Sequence, residues 1–162
     1  MFGRRKKTLV PAGAQAPAFR LAAIDGTEQS LADILARGPA LLVFYKISCP
    51  VCQLTAPYLQ RLSANHALQV IGISQDDADG TRGFMQRLGV AFPTLLDSAG
   101  EGYPASNAYG ITSVPSLFLL ERDGTVARSF NGFSKRDLEE IGARAGVSPF
   151  GPEDQVPEWK AG

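Results

Sequence analysis

The side chains best placed for chemistry in this sequence are its two cysteines, in the segment Cys49-Pro50-Val51-Cys52. A continuous apolar run, Ala40 to Tyr45, precedes them, and Leu54, Tyr58, Leu59 and Leu62 follow at helical spacing. The pair therefore falls where a buried strand hands over to a helix. A thiol at a helix N-terminus faces unpaired N–H groups and the positive end of the helix dipole, and both favour thiolate. Two intervening residues bring the second sulfur within disulfide reach in one turn, so the pair can cycle between dithiol and disulfide. Pro50 suits the first helical turn, where its missing donor is no loss. Val51 puts no charge between the sulfurs. Metal chemistry fails on numbers, because two cysteines and one histidine, His66, leave a closed four-ligand zinc site one short. Haem attachment requires histidine at position 53, which is Gln53. No bound cofactor is needed for thiol chemistry, and none is expected.

Composition narrows the classes further. Sixteen basic residues balance sixteen acidic ones, which opposes a dedicated nucleic-acid binder. The Ala40–Tyr45 run is far short of the roughly 20 residues a membrane span requires. Arg4, Arg5, Lys6 and Lys7 resemble the start of a signal peptide, but that needs about 7–15 apolar residues next. Thr8-Leu9-Val10 is cut off by Pro11 and Gly13, so the expectation is a basic flexible tail over 1–12 and a cytoplasmic protein. Residues 146–162 hold three glycines and three prolines, a tail that either drapes over the domain or stays mobile. Residues 13–145 are expected to form one domain.

The elements that must hold the cysteines follow from patterning. Phe19 to Ser30 around Asp25-Gly26 predicts a hairpin with a type I′ turn, and Ser30 caps a short helix, Leu31 to Ala36. Strands are predicted at Ala40–Tyr45, Leu68–Ser74 and Thr94–Asp97, with helices at Pro50 to about Asn65 and Thr81–Leu88. Ser106 to Tyr109 holds one helical turn. Ser116–Leu120 and Thr125–Phe130 flank Asp123-Gly124, a second hairpin signal, and Lys135 to Ala145 is an amphipathic helix. Alternation early and a hairpin late give an α/β fold with a mixed central sheet flanked by helices. His66 reads as the C-terminal end of the cysteine helix, and Asp76, Asp77 and Asp79 as a helix start. Phe44, Phe84, Phe92, Phe118 and Phe130 read as core.

With these residues in hand, the sequence resembles the thioredoxin-like superfamily. Pro57, eight positions after Cys49, matches the proline inside the family's active-site helix. Val114-Pro115 ahead of a strand matches its cis-proline segment. Tyr109 to Leu120 with Asp123-Gly124 is most similar to the TlpA/ResA-type thiol-disulfide reductases of the AhpC/TSA-related group. Pro17 to Leu21, with its added N-terminal β-hairpin, and Gly89-Val-Ala-Phe-Pro93 fit the same group. The resemblance implies that Cys49 and Cys52 are catalytic and that Pro50, Val51, Val114 and Pro115 support the site. It also implies that the Val114 backbone pairs with substrate. Departures are Ser48, where most of the family has tryptophan, and Val43, where thioredoxin keeps a buried aspartate. Lys46, three residues before Cys49, reads either as a local positive charge or as a solvated lysine at the strand end.

The function expected is that of a thiol-disulfide oxidoreductase, acting on a disulfide-containing protein or small thiol substrate and recharged by an upstream thiol donor. Two other readings are distinct. One is a peroxiredoxin-like, antioxidant thiol peroxidase with Cys52 as the peroxide-reactive residue. The other is a redox-sensing binding module on the same fold. Exposure of the two sulfurs separates the first pair, since the oxidoreductase needs Cys49 outward and the peroxidase needs Cys52 outward.

Overall fold

A computed structural model describes residues 8–162 of the chain. Its main sheet has seven strands in the order β2-β1-β5-β4-β3-β6-β7. These are β1 Arg20–Ala23, β2 Glu28–Ser30, β3 Ala40–Tyr45, β4 Gln69–Ser74, β5 Thr94–Leu96, β6 Ser116–Leu120 and β7 Val126–Asn131. β3, β4 and β5 run parallel, whereas β1 pairs antiparallel with β5 and β6 antiparallel with β3. The expected mixed sheet is what forms.

The central strand shows why Ala40–Tyr45 is apolar throughout. Strand side chains alternate between faces, and here both faces are covered. Leu41, Val43 and Tyr45 join one core with helices α2 (Pro50–Leu62), α3 (Ala78–Leu88) and α5 (Lys135–Ala145). Ala40, Leu42 and Phe44 join a second core with α1 (Leu31–Ala36) and α4 (Pro104–Ala108). Burial of each large aliphatic side chain is worth about 1.5–3 kcal/mol, so the site rests on a strand buried along its whole length. Phe44, Phe84, Phe92 and Phe118 are buried as expected, while Phe130 is half-buried. No described helix is long and apolar enough to cross a membrane.

Capping sets the helix starts. Ser30 and Asp33 form a reciprocal capping box on α1. Asp77 caps α3 by accepting from Gly80 N, so that helix begins three residues before the expected Thr81 and the acidic cluster is its start.

Three local expectations need correction. Neither Asp-Gly turn is type I′: Gly26 and Gly124 alone have positive φ, 88° each, in turns closed by Gly26 N to Ala23 O and Gly124 N to Glu121 O. The reason lies in the aspartates. Asp25 and Asp123 each accept a hydrogen bond from the threonine N–H two residues on, at 2.9 Å, which keeps them at negative φ. His66 is not in the last turn of α2, which is capped by Ser63; it is exposed in the following turn at φ 59°. The basic stretch Arg4–Lys7 lies outside the described residues, but the rest of the expected flexible tail, 8–12, is packed. Val10 N donates to Tyr109 O at 3.1 Å, and Leu9 and Val10 lie against the second core.

The Pro/Gly-rich segment after α5 drapes over the domain. Phe150 packs on Tyr58 with ring centroids 4.7 Å apart, and Arg61 holds Asp154 through two bonds of 2.6 and 3.2 Å. Two short strands that patterning does not reveal, β8 (Phe133–Ser134) and β9 (Trp159–Lys160), then pair antiparallel.

Candidate active site

Strand β3 ends at Tyr45, and the loop Lys46–Ser48 delivers Cys49 to the N-cap of α2. The loop is pinned from two sides. Ile47 N donates to Asp76 Oδ2 at 2.9 Å, and Gln53 Nε2 donates to Ile47 O at 3.0 Å. Cys49 takes extended backbone angles, with Pro50 in the first helical turn, as the sequence predicts.

The Cys49 sulfur has two polar neighbours, one donor and one acceptor. It accepts from Cys52 N at 3.1 Å, a contact that strengthens when the sulfur is anionic. It also donates to the Val114 carbonyl oxygen at 3.3 Å, a contact available only to the thiol. Cys49 is half-buried and Cys52 fully so, with 2% of its surface exposed. Both are free thiols. Val51, beside them in the first turn, is buried and belongs to the α2 core.

Cys52 faces an apolar void of about 10 Å³ lined by Val43, Tyr45, Leu59, Phe84, Phe92 and Pro115. Such a space is at the lower limit for holding one water. Burial pushes the Cys52 thiol well above its ordinary value, the adjacent Cys49 sulfur adds to this, and the Lys46 backbone partly opposes it. Val43 is buried and lines the same void, so no carboxylate stands on the β3 side of Cys52. Tyr45 Oη is buried with no partner in hydrogen-bonding geometry, although the Thr94 and Ser74 hydroxyls lie near it. Desolvation pushes this phenol up to about 12.

The Val114–Pro115 peptide is cis and lies against the cysteine pair through the Val114 contact. Its flanks are braced by Ser116 Oγ donating to Ser113 O at 2.7 Å and Gly132 N donating to Pro115 O at 2.8 Å. On its other side a cleft of about 220 Å³ is lined by Lys46, Gln75, Tyr103, Ser106, Thr112 and Val114. Lys46 is exposed at the rim of that cleft. The cleft is shaped by Asp97, a fully buried carboxylate that accepts from Ala105 N, Ser106 N and Ser106 Oγ at 3.0, 2.7 and 2.5 Å. His66 lies elsewhere, lining a separate surface cleft with Arg37 and Pro93. Among the described residues no cluster of His, Cys, Asp or Glu suits a metal ion.

This strand–CxxC–helix arrangement beside a cis proline has counterparts in sequence as well as in shape. The AhpC/TSA family profile matches residues 12–129. The chain belongs to the AhpC/TSA family. Among relatives of this redoxin is the thiol-disulfide oxidoreductase ResA of Geobacillus thermodenitrificans, 27% identical over 140 residues, covering 83% of this chain and 78% of that protein. A secreted Mycobacterium tuberculosis disulfide oxidoreductase homologous to E. coli DsbE superposes with a TM-score of 0.66 at 25% identity, covering 79% of this chain and 94% of the other. The thioredoxin domain of a Bacteroides vulgatus thiol-disulfide oxidoreductase gives 0.70 at 20% identity, over 81% and 94% of the two chains. The fold is thioredoxin-like, with β1 and β2 as the added N-terminal hairpin.

Sequence reasoning located the cysteines and the proline turn of this AhpC/TSA member but missed three groups around them. Asp97, Gly132 and residues 159–162 all reach the site from distant parts of the chain. Asp97 follows β5 and precedes α4 by several residues, a position with no capping signature. No local pattern marks the other two.

Proposed function

We propose that this protein is a thiol-disulfide oxidoreductase in which Cys49 is the nucleophile and Cys52 the resolving thiol. The observation carrying this is the asymmetry of the pair. The half-exposed Cys49 sulfur accepts the Cys52 N–H, whereas Cys52 is sealed under the helix with its thiol form favoured. The same asymmetry opposes a peroxidase acting through Cys52, which would have to meet peroxide at the buried sulfur.

In the forward direction Cys49 gives its proton to solvent and its thiolate attacks one sulfur of a substrate disulfide. The substrate S–S bond breaks, a Cys49–substrate disulfide forms, and the first substrate sulfur leaves as thiolate and is protonated. Cys52 then loses its proton and attacks Cys49 Sγ. The mixed disulfide breaks, and the second substrate sulfur leaves with the electron pair and takes up a proton. Two electrons have passed to substrate, leaving the Cys49–Cys52 disulfide, which an upstream dithiol donor must reduce. Val114 supports this cycle by presenting backbone beside the reacting sulfur, and Pro50, Val51 and Pro115 by shaping the helix start and the turn. The substrate class is a disulfide in a protein or a small molecule.

The test is reduction of insulin disulfides, with Cys52→Ser and Cys49→Ser compared. The wild type should turn over. Cys52→Ser should accumulate a mixed disulfide, and Cys49→Ser should neither turn over nor trap substrate. Equal trapping by both variants would mean the sulfurs are interchangeable, and peroxide reacting fastest with the variant that keeps only Cys52 would reverse the assignment.

A further inference from the structure

Gly162 lies on the turn that faces the redox pair. Strand β9 pairs with β8 through Phe133 with Lys160 and Ser134 with Trp159, and Lys135 N donates to Glu158 O at 3.0 Å. Beyond β9 the chain reaches Val114–Pro115. A methyl group on Gly162 would overlap the Val114 carbonyl oxygen and stand 2.7 Å from the Val114 carbonyl carbon and 3.2 Å from Pro115 Cδ. One on Gly132 would overlap the Lys160 carbonyl oxygen and stand 3.4 Å from Ala161 Cα and Gly162 N. Both glycines therefore mark backbone-to-backbone contact. The carbonyl that Gly162 touches is the one 3.3 Å from Cys49 Sγ.

An extended peptide that offers its disulfide to Cys49 needs this same edge, because main-chain pairing along an exposed edge is how such segments are held. The occupant is weakly fastened. Residues 157–162 are all exposed, Trp159 at 59%, so main-chain contacts and the exposed Lys135–Glu158 ion pair at 3.6 Å, rather than burial of side chains, keep them in place. The preceding stretch is firmly anchored by Phe150 on Tyr58 and by Arg61 on Asp154 and on the Pro149 carbonyl. Release of residues 157–162 leaves that anchor intact.

We infer that residues 157–162 are an internal occupant of the peptide-binding edge formed by Gly132, Val114 and Pro115. Polypeptide disulfides reach Cys49 by displacing them, and small disulfides reach it without doing so. This rests on the disulfide-exchange reading above and adds a selectivity that the reading does not contain. The edge admits extended polypeptide only in the fraction of molecules whose segment has lifted, and the apparent affinity for peptide falls by that fraction.

The experiment compares the full chain with one lacking residues 157–162 and with Gly162→Val, which keeps the length but has no room at the Val114 carbonyl. Insulin reduction should accelerate about tenfold in the shortened chain and part of the way in Gly162→Val, while reaction with 5,5′-dithiobis(2-nitrobenzoate) changes by less than about twofold. Equal insulin rates in all three chains would overturn the proposal. So would an equal acceleration with both disulfides, which would mean general loosening. A second measurement needs no disulfide exchange: alkylation of Cys49 by a maleimide carried on an extended peptide, set against iodoacetamide. If no chain reduces insulin but the shortened one still reacts selectively faster with the peptide maleimide, the exchange reading fails and the occupant stands. If exchange proceeds but the maleimide rates match, the occupant fails alone. Trp159, the single tryptophan, adds a spectroscopic check. Its fluorescence anisotropy should fall when a tryptophan-free peptide is trapped on Cys49 of Cys52→Ser, and constant anisotropy would count against displacement.

Discussion

The Cys49 sulfur sits 3.3 Å from the carbonyl oxygen of Val114, 65 positions away in the chain. The sulfur donates to that carbonyl, and the Cys52 N–H donates to the same sulfur at 3.1 Å. The Cys49 sulfur is thus held between two backbone groups, one from α2 and one from the turn before β6.

Accessibility makes the two cysteines chemically distinct in the folded protein. Brief treatment of the reduced protein with iodoacetamide should label Cys49, with Cys52 slower by about 100-fold because a buried thiol must wait for local opening. Peptide mapping by mass spectrometry reads the ratio. Comparable labelling of both under native conditions would contradict the buried position of Cys52.

Burial of the Cys52 thiol has a consequence for stability at alkaline pH. The unfolded thiol ionises near its ordinary value of 9.0, and the folded one is raised above it, so the unfolded state loses its proton first. The contribution is fully present below about pH 8.5 and is lost as pH rises, by up to about 1.4 kcal/mol per pH unit. Urea unfolding of the reduced protein between pH 8 and 10 should show this slope. Cys52→Ala and the oxidised protein should both lack it.

Tyr45 carries a buried hydroxyl without a partner in bonding geometry, and its ring stacks on Phe84 at 5.2 Å. Tyr45→Phe keeps the ring and removes a desolvated polar group. Stability should be unchanged or rise by up to about 1 kcal/mol. A loss larger than that in chemical denaturation would show that Thr94 or Ser74 bonds the hydroxyl in solution.

Asp97 is entirely buried and accepts three hydrogen bonds at the start of α4. Asp97→Ala leaves those donors unsatisfied and should lower stability by about 2–4 kcal/mol. The cleft beside Val114 should loosen too, because Gln75 Nε2 donates to the same Ser106 hydroxyl at 2.9 Å. Faster amide exchange over 104–109 would report it, and unaltered exchange would separate Asp97 from the cleft.

Local rules carried the cysteine site a long way. The strand run Ala40–Tyr45, the N-cap at Ser30, Pro50 in the first turn of α2 and the bounds of α5 are all decided by nearest neighbours, so each was legible in sequence. The same holds for the chemistry of a thiol placed at a helix N-terminus, and the family resemblance of Pro57 and Val114-Pro115 completed the fold. Where the type I′ expectation at Asp25-Gly26 went wrong, the Asp25 side chain had intervened locally. Tertiary structure alone decided which carbonyl meets the Cys49 sulfur, which void lies under Cys52, and what lies over Val114. Those contacts join segments tens of residues apart, and main-chain groups make many of them. Main-chain groups are the same in every residue, so no pattern of residue types could announce that the chain near Gly162 comes to rest on Val114.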